Sequence, residues 1–163
     1  MSIDKVRAYL AAYGKDQDIQ EFDVSSATVE LAAVAVGVIP ARIAKTLSFK
    51  VGEGCVLIVT AGDAKIDNAK FKAYFKTKAK MLLPDEVVAF TGHAVGGVCP
   101  FALPKDADVA VYTDVSLRRF ETVFPAAGSS NSAIELTCDG LFSLSNSVAW
   151  IDVCKGWQEE EVE

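Results

Sequence analysis

Two strand patterns joined by a tight turn limit what this chain can fold into more than any other stretch. From Lys45 to Val51 the residues alternate, with Lys45, Leu47 and Phe49 on one face and Thr46, Ser48 and Lys50 on the other. Gly52-Glu53-Gly54 makes a hairpin turn, and Cys55 to Thr60 follows as a continuous apolar strand. Elsewhere strand and helix patterns are mixed without strict βαβ succession, and several strand pairs are separated only by short turns. This predicts an α+β protein with a mixed or largely antiparallel sheet rather than a doubly wound fold. At 163 residues and 51% hydrophobic, the chain suits one domain with a sizeable core.

The remaining elements follow from periodicity and punctuation. Ile3, Val6, Leu10 and Tyr13 recur at helical spacing behind Ser2, and Gly14 stops the helix. Asp18 to Val24 reads as a short strand. Val29 to Val36, rich in Ala and closed by Gly37, reads as a mostly buried helix behind the cap cluster Ser25-Ser26-Ala27-Thr28. Pro40 opens a helical turn. Asp67 to Phe75 is a helix with Phe71, Tyr74 and Phe75 as its inner stripe and lysines outside. Pro84-Asp85-Glu86 starts another, ending at Gly92. Later come a strand from Asp108 to Tyr112, a helical turn from Val115 to Phe120, and a strand from Thr122 to Ala126. Pro125 assigns that last strand to an edge or a bulge. Ser132 to Thr137 reads as one strand with Ile134 and Leu136 inward. A short helix near Leu141 precedes a final strand, Ala149 to Val153.

The longest apolar run, Leu31 to Pro40, is too short to cross a bilayer, and the amphipathic start does not resemble a signal peptide. Cys55, Cys99, Cys138 and Cys154 have no CxxC spacing, and His93 is the single histidine, so neither a metal nor another cofactor is expected. The cysteines read as thiols of a reducing cytoplasm. A net charge of −6 argues against a general nucleic-acid binder such as a DNA-binding protein. Four of the acidic residues lie in the tail, at Glu159, Glu160, Glu161 and Glu163, which is expected to be disordered. Between Lys65 and Lys80 the balance reverses, through Lys65, Lys70, Lys72, Lys76, Lys78 and Lys80. That stretch is either a solvated helix face or a local basic patch.

Two features carry chemistry. Lys45 shares a face with core residues; either it meets an anionic group, or it reaches solvent along its alkyl stem from the fraying start of the strand. The stretch from Gly92 to Leu103 is too rich in glycine for a helix and lacks strand alternation. Gly96 and Gly97 allow close backbone approach, and Pro100 stiffens the far side. It is either a tight Gly-Pro turn or a rigid loop whose bare amides hold a polar ligand or a developing negative charge. There is no GxSxG motif and no Ser-His-Asp set.

The order Ala44-Lys45-Thr46, then Gly96-Gly97-Val98-Cys99-Pro100, then Ala127-Gly128-Ser129-Ser130-Asn131 before a strand resembles the YbaK/EbsC family. These are free-standing relatives of the bacterial prolyl-tRNA synthetase editing domain. The resemblance spans nearly the whole chain. It implies a mixed sheet curled into a partly closed barrel with helices around it, over residues 1–157, followed by an acidic tail at 158–163. It implies a trans-acting aminoacyl-tRNA deacylase that removes a mischarged small amino acid, Ala, Cys or similar, from the 3′ end of tRNA(Pro). By this resemblance Lys45, Gly96 and Gly97 serve catalysis. Lys45 anchors the terminal phosphate or the ester region, and a loop amide such as that of Gly97 stabilises the oxyanion, with water or the terminal 2′-hydroxyl attacking. Thr46, His93, Val98, Cys99, Pro100, Gly128, Ser129, Ser130 and Asn131 contact the substrate. Lys70, Lys72, Lys76 and Lys80 contact the tRNA, and prolyl-tRNA synthetase is a candidate partner. Cys99 stands where many relatives have Ser or Thr, and reads as an inert residue or a tuner of specificity. His93 reads as a structural donor or a pocket residue. The alternative function is a non-catalytic tRNA- or synthetase-binding module; a third is a Cys99 nucleophile enzyme acting on a small ester or thioester.

Overall fold

The computed structural model describes residues 2–158, so the tail expected at 158–163 lies outside the described residues except for Gln158. In chain order the elements are α1 (Ser2–Ala11), β1 (Ile19–Glu21), α2 (Val29–Val36), β2 (Ile43–Val51), β3 (Gly54–Ala61), β4 (Lys65–Ile66), α3 (Asn68–Phe75), α4 (Pro84–Thr91), β5 (Val109–Asp114), β6 (Thr122–Pro125), β7 (Ser132–Ile134), β8 (Leu136–Thr137), α5 (Cys138–Leu144), β9 (Trp150–Ile151) and β10 (Cys154–Lys155). Short 3-10 turns at Pro40–Arg42 and Val115–Arg119 occupy the two predicted helical turns.

The main sheet is six-stranded, in the order β8-β6-β2-β3-β5-β9. It is a mixed sheet curled into a half-barrel, and with its helices forms a single α+β domain. The hairpin is its centre: β2 and β3 pair antiparallel from Ala44↔Ala61 to Val51↔Gly54, with Gly52 in the left-handed region at φ 61. β5 joins β3 in parallel, and β9 joins β5 in parallel. Every residue of β3 is buried, which explains its unbroken apolar run, because the strand is covered on both faces. Phe71 of α3, fully buried, packs with its ring tilted and its centroid 5.0 Å from that of Phe49 of β2, and Val6 and Leu10 of α1 enter the same core. Local caps set the helix starts. Thr28 accepts the Leu31 N–H, and Asp67 accepts those of Ala69 and Lys70.

The structure corrects several sequence expectations. β6 is not an edge strand. It lies between β8 and β2, and Pro125 is tolerated because it ends the strand opposite Ala44. The run from Ser132 to Thr137 divides at Glu135: β7 pairs with β1, whereas β8 pairs with β6. Glu135 points outward to accept the Thr122 hydroxyl at 2.6 Å. The expected last strand is shorter, and β10 leaves the main sheet to pair with β4. α2 buries Ala32 and Ala33, whereas Leu31 and Val34 are exposed, because one face of this largely apolar helix meets the sheet and the other has no cover among the described residues. Tyr74 lies half-exposed, its ring edge-on to Phe75 and Tyr112, rather than inside.

Candidate functional site

A gap in the ladder beside β2 forms the site. On that side, pairing with β6 stops at Ala44↔Pro125, and the next neighbour is an isolated bridge from Phe49 to Met81. The Ser48 carbonyl and the Lys50 N–H both bond toward residues 80–82. Thr46 therefore turns its own N–H and C=O into the gap, since backbone groups two residues apart on a strand point the same way. A cleft of about 400 Å³ opens there. Its walls come from the start of α2 (Val29, Ala32), from β2, from Leu82 and Val87 near α4, from Gly96 and Val98, and from Phe124 and Ala133.

Lys45 is the one charged residue in this lining. Its Nζ reaches the Gly62 carbonyl at 3.4 Å. Gly62 is required there, because a Cβ would lie 2.1 Å from the Pro40 carbonyl and 2.7 Å from Val29 Cγ1. The neighbouring Asp63 does not neutralise the lysine, being held by Arg119 at 2.6 and 3.0 Å, and Arg119 also bonds the Trp157 carbonyl. Burial pushes the Lys45 pKa below its ordinary range, and the negative potential of Asp63 and Glu30 partly opposes this. Among the described residues Lys45 forms no ion pair, and the long contact to the Gly62 carbonyl is the one hydrogen bond of its ammonium. Thr46 lines the cleft beside it.

The two small-residue loops meet at this cleft. Gly97 touches the other loop so closely that a Cβ would lie 2.9 Å from the Ser129 backbone. Gly128, at φ 98, lies against Val6, Ser2 and Ile3 of α1. Ser130 and Asn131 zip onto the segment after β1: the Ser130 carbonyl accepts the Ser26 N–H at 2.6 Å and the Asn131 carbonyl accepts that of Phe22 at 2.8 Å. Gly96 and Val98 line the cleft, and neither N–H has an acceptor among the described residues. The Gly97 N–H, by contrast, already bonds the Ala94 carbonyl at 3.0 Å and so is not free for the oxyanion role expected of it. Gly97 and residues 128–131 thus support the wall, and Ser132 and Ala133, just beyond, form it.

His93, Cys99 and Pro100 lie behind the loop, outside the cleft lining. His93 is fully buried. Its Nε2 donates to the Phe101 carbonyl at 2.8 Å, so Nδ1 is the acceptor and receives a hydrogen bond from the Ser2 hydroxyl. The ring ties the far side of the loop to the first turn of α1. The Cys99 Sγ sits 3.5 Å from Nε2, and complete burial pushes its pKa up to about 12, which removes the support for a thiolate nucleophile. Pro100 faces a second hollow with Tyr9 and Asn146.

Burial depresses the His93 pKa from its ordinary 6.5, with the Phe101 carbonyl opposing and Lys5 assisting. The unfolded chain therefore binds this proton first. The stability present above pH 6.5 is lost as pH falls from there through the lower folded value. Melting temperatures measured across that window should fall for the native protein, and His93→Gln should flatten the fall.

The expected lysine face divides. Lys70 Nζ is bound to Asp152 at 3.0 Å and to the Cys154 carbonyl at 3.2 Å, so it fastens α3 to the C-terminal strands. Lys72, Lys76 and Lys80 are exposed and form no ion pair among the described residues. Lys80 precedes Met81, which lines the cleft. The sequence reading missed Ser26, Val29, Ala32, Ser48 and Phe124. The one available signal was the cap cluster Ser25 to Thr28, which has more hydroxyls than one helix start needs.

The sequence matches the family model described as the aminoacyl-tRNA editing domain over residues 23–144. The chain belongs to the aminoacyl-tRNA editing family. Within that family it sits with the YbaK/EbsC editing proteins. It is 30% identical over 122 residues, 73% of each chain, to Enterococcus faecalis EbsC, provisionally named a Cys-tRNA(Pro)/Cys-tRNA(Cys) deacylase. It is 56% identical to the Bacillus subtilis protein YwhH, over 97% of this chain and 100% of that one. Over 95% of this chain and 98% of the other, it superposes with a TM-score of 0.84 and 27% identity on a crystal structure provisionally described as a trans-editing enzyme for prolyl tRNA synthetase. Among the described residues, no helix of this editing protein is long and apolar enough to cross a membrane.

Proposed function

We propose that this editing protein hydrolyses the ester linking a mischarged small amino acid to the 3′ end of a tRNA, acting in trans. The observation that carries the reading is the cleft itself. It is amino-acid sized and is lined by Lys45, which forms no ion pair among the described residues, and by Gly96 and Val98, whose N–H groups have no acceptor among them. No Asp, Glu, His or Cys lines it. Such a site supplies position and positive potential rather than a base or a nucleophile. That suffices for an ester already activated toward attack.

In the step that follows, water adds to the ester carbonyl carbon. The loop amides and the Lys45 ammonium hold the charge on the oxyanion. The bond from that carbon to the ribose oxygen breaks, and the oxygen leaves with a proton, giving free amino acid and intact tRNA. The neighbouring ribose hydroxyl can relay the proton. It is not the nucleophile, because its attack only moves the ester along the ribose. Measured release of amino acid from Ala-, Cys-, Ser-, Thr- and Pro-tRNAs tests the reading. Hydrolysis of one or two small-residue substrates with Pro-tRNA spared supports it; no release from any of them, with or without prolyl-tRNA synthetase, leaves a binding module.

The exposed lysines of and after α3, the last of which, Lys80, adjoins the cleft residue Met81, suit the acceptor-stem phosphates. In the double variant Lys72→Glu and Lys76→Glu, the slope of log affinity for tRNA against log salt should shrink by about 1 per lysine. An unchanged slope assigns these residues to a solvated face.

A further inference from the structure

The cleft contains hydroxyls with nothing to bond. Ser26 Oγ and Thr46 Oγ1 have no hydrogen-bond partner among the described residues and are closed to solvent. Ser48 Oγ has no hydrogen-bond partner among the described residues either, but unlike those two it keeps contact with solvent. All three residues line the cleft. Thr46 and Ser48 are two apart on β2, so their side chains leave the same face about 7 Å apart. Ser26 is brought to the cleft by its backbone bond to Ser130. Ser132, in the same wall, is different: its hydroxyl is satisfied by Ser129 at 2.7 Å.

A buried hydroxyl without a partner is uncommon and destabilising, and Ala or Val would occupy these positions without that cost. Val29, Ala32, Ala44 and Ala133 make the surrounding wall largely apolar, with Lys45, Thr28 and Ser132 as its other polar residues. The Ser26 and Thr46 oxygens are closed to solvent as they stand, so an occupant of the cleft becomes their partner only when their side chains turn. Turning a serine or threonine to another staggered rotamer swings its oxygen toward whatever fills the cleft. A group that both donates and accepts without charge matches hydroxyls in apolar surroundings. An alanine methyl offers neither, and a thiol offers both only weakly.

We propose that the cleft selects a β-hydroxy amino acid, serine or threonine, with Ser26, Thr46 and Ser48 reading its side-chain hydroxyl. This rests on the deacylase reading of the same site. A site built to bond a substrate hydroxyl discriminates strongly against the analogue lacking it, because its own groups are then left unpaired.

The test charges one tRNA with either serine or alanine, so that RNA contacts cancel, and compares kcat/KM. The native protein should favour the seryl ester about 10-fold or more. Thr46→Val, which keeps the shape, and Ser48→Ala should each lower the seryl-to-alanyl ratio, Thr46→Val by about 10-fold. Preference for alanine in the native protein, or equal losses on both esters, overturns the proposal. Equal losses assign the hydroxyls to the ammonium or ribose that every substrate carries. Calorimetry with the stable seryl and alanyl amides of 3′-amino-3′-deoxyadenosine separates the two levels. Tighter seryl-amide binding without hydrolysis of either ester upholds the selectivity and defeats the deacylase reading; neither preference nor hydrolysis defeats both.

Discussion

Lys45→Ala should reduce deacylation by about 100-fold in kcat/KM while the melting temperature stays nearly unchanged. The two outcomes are linked by the surroundings of the ammonium. It is partly withdrawn from water, and its one contact is a carbonyl at 3.4 Å. The folded state therefore gains little from the charge. The reaction gains much, since the negative charge that forms on the ester oxygen has no other full positive charge in the lining to meet. Lys45→Met, which keeps the alkyl stem but not the charge, should match the alanine variant in rate. Steady-state kinetics on one charged tRNA decides the matter: a rate within twofold of native would remove Lys45 from the mechanism.

Gly97→Ala should lower kcat by about 10- to 100-fold and destabilise the protein by about 1–3 kcal/mol. The added Cβ would fall 2.9 to 3.0 Å from the N, Cα and C atoms of Ser129, a backbone that cannot rotate aside. The loops must part, and the amides of Gly96 and Val98 shift with them. Gly14→Ala is the contrast. Gly14, unlike Gly97, has a positive φ, at 72, but nothing lies within 4 Å of its would-be Cβ. That variant should cost about 1 kcal/mol of stability and leave the rate alone. Comparable kinetic losses in both would mean that loss of stability, not loop placement, governs the rate.

The readable parts of the site were those with a local signature. Strand alternation placed Lys45 among inward residues because a strand side chain's direction is set by its own register. Glycine and proline marked both loops because their backbone demands are written in single residues. What stayed hidden depended on partners distant in sequence. α2 is apolar apart from Glu30 in its first turn, so its composition does not say which face meets the sheet, and Val29 and Ala32 went unnoticed as cleft walls. Lys70 looks like its neighbours until Asp152, far along the chain, takes it. The engagement of the Gly97 N–H by Ala94 depends on the turn adopted, which residue identity does not specify. Pro125 misled because its lack of an N–H was read as an edge, whereas a strand can also end there.

The first turn of α1 bears on both loops: the Ser2 hydroxyl on His93 and the Ser2–Ile3 backbone on Gly128. Residue 2 is thus joined to residues 91 and 126 positions away. Contacts of such sequence separation form late, because the chain entropy of closing long loops opposes them until the rest of the fold is in place. During synthesis on a ribosome, the hairpin of β2 and β3 can collapse early, yet the cleft wall at Ser132 and Ala133 must still emerge and β7 must pair with β1. A nascent or partly refolded chain therefore has a sheet before it has a site, and recovery of activity should lag recovery of secondary structure.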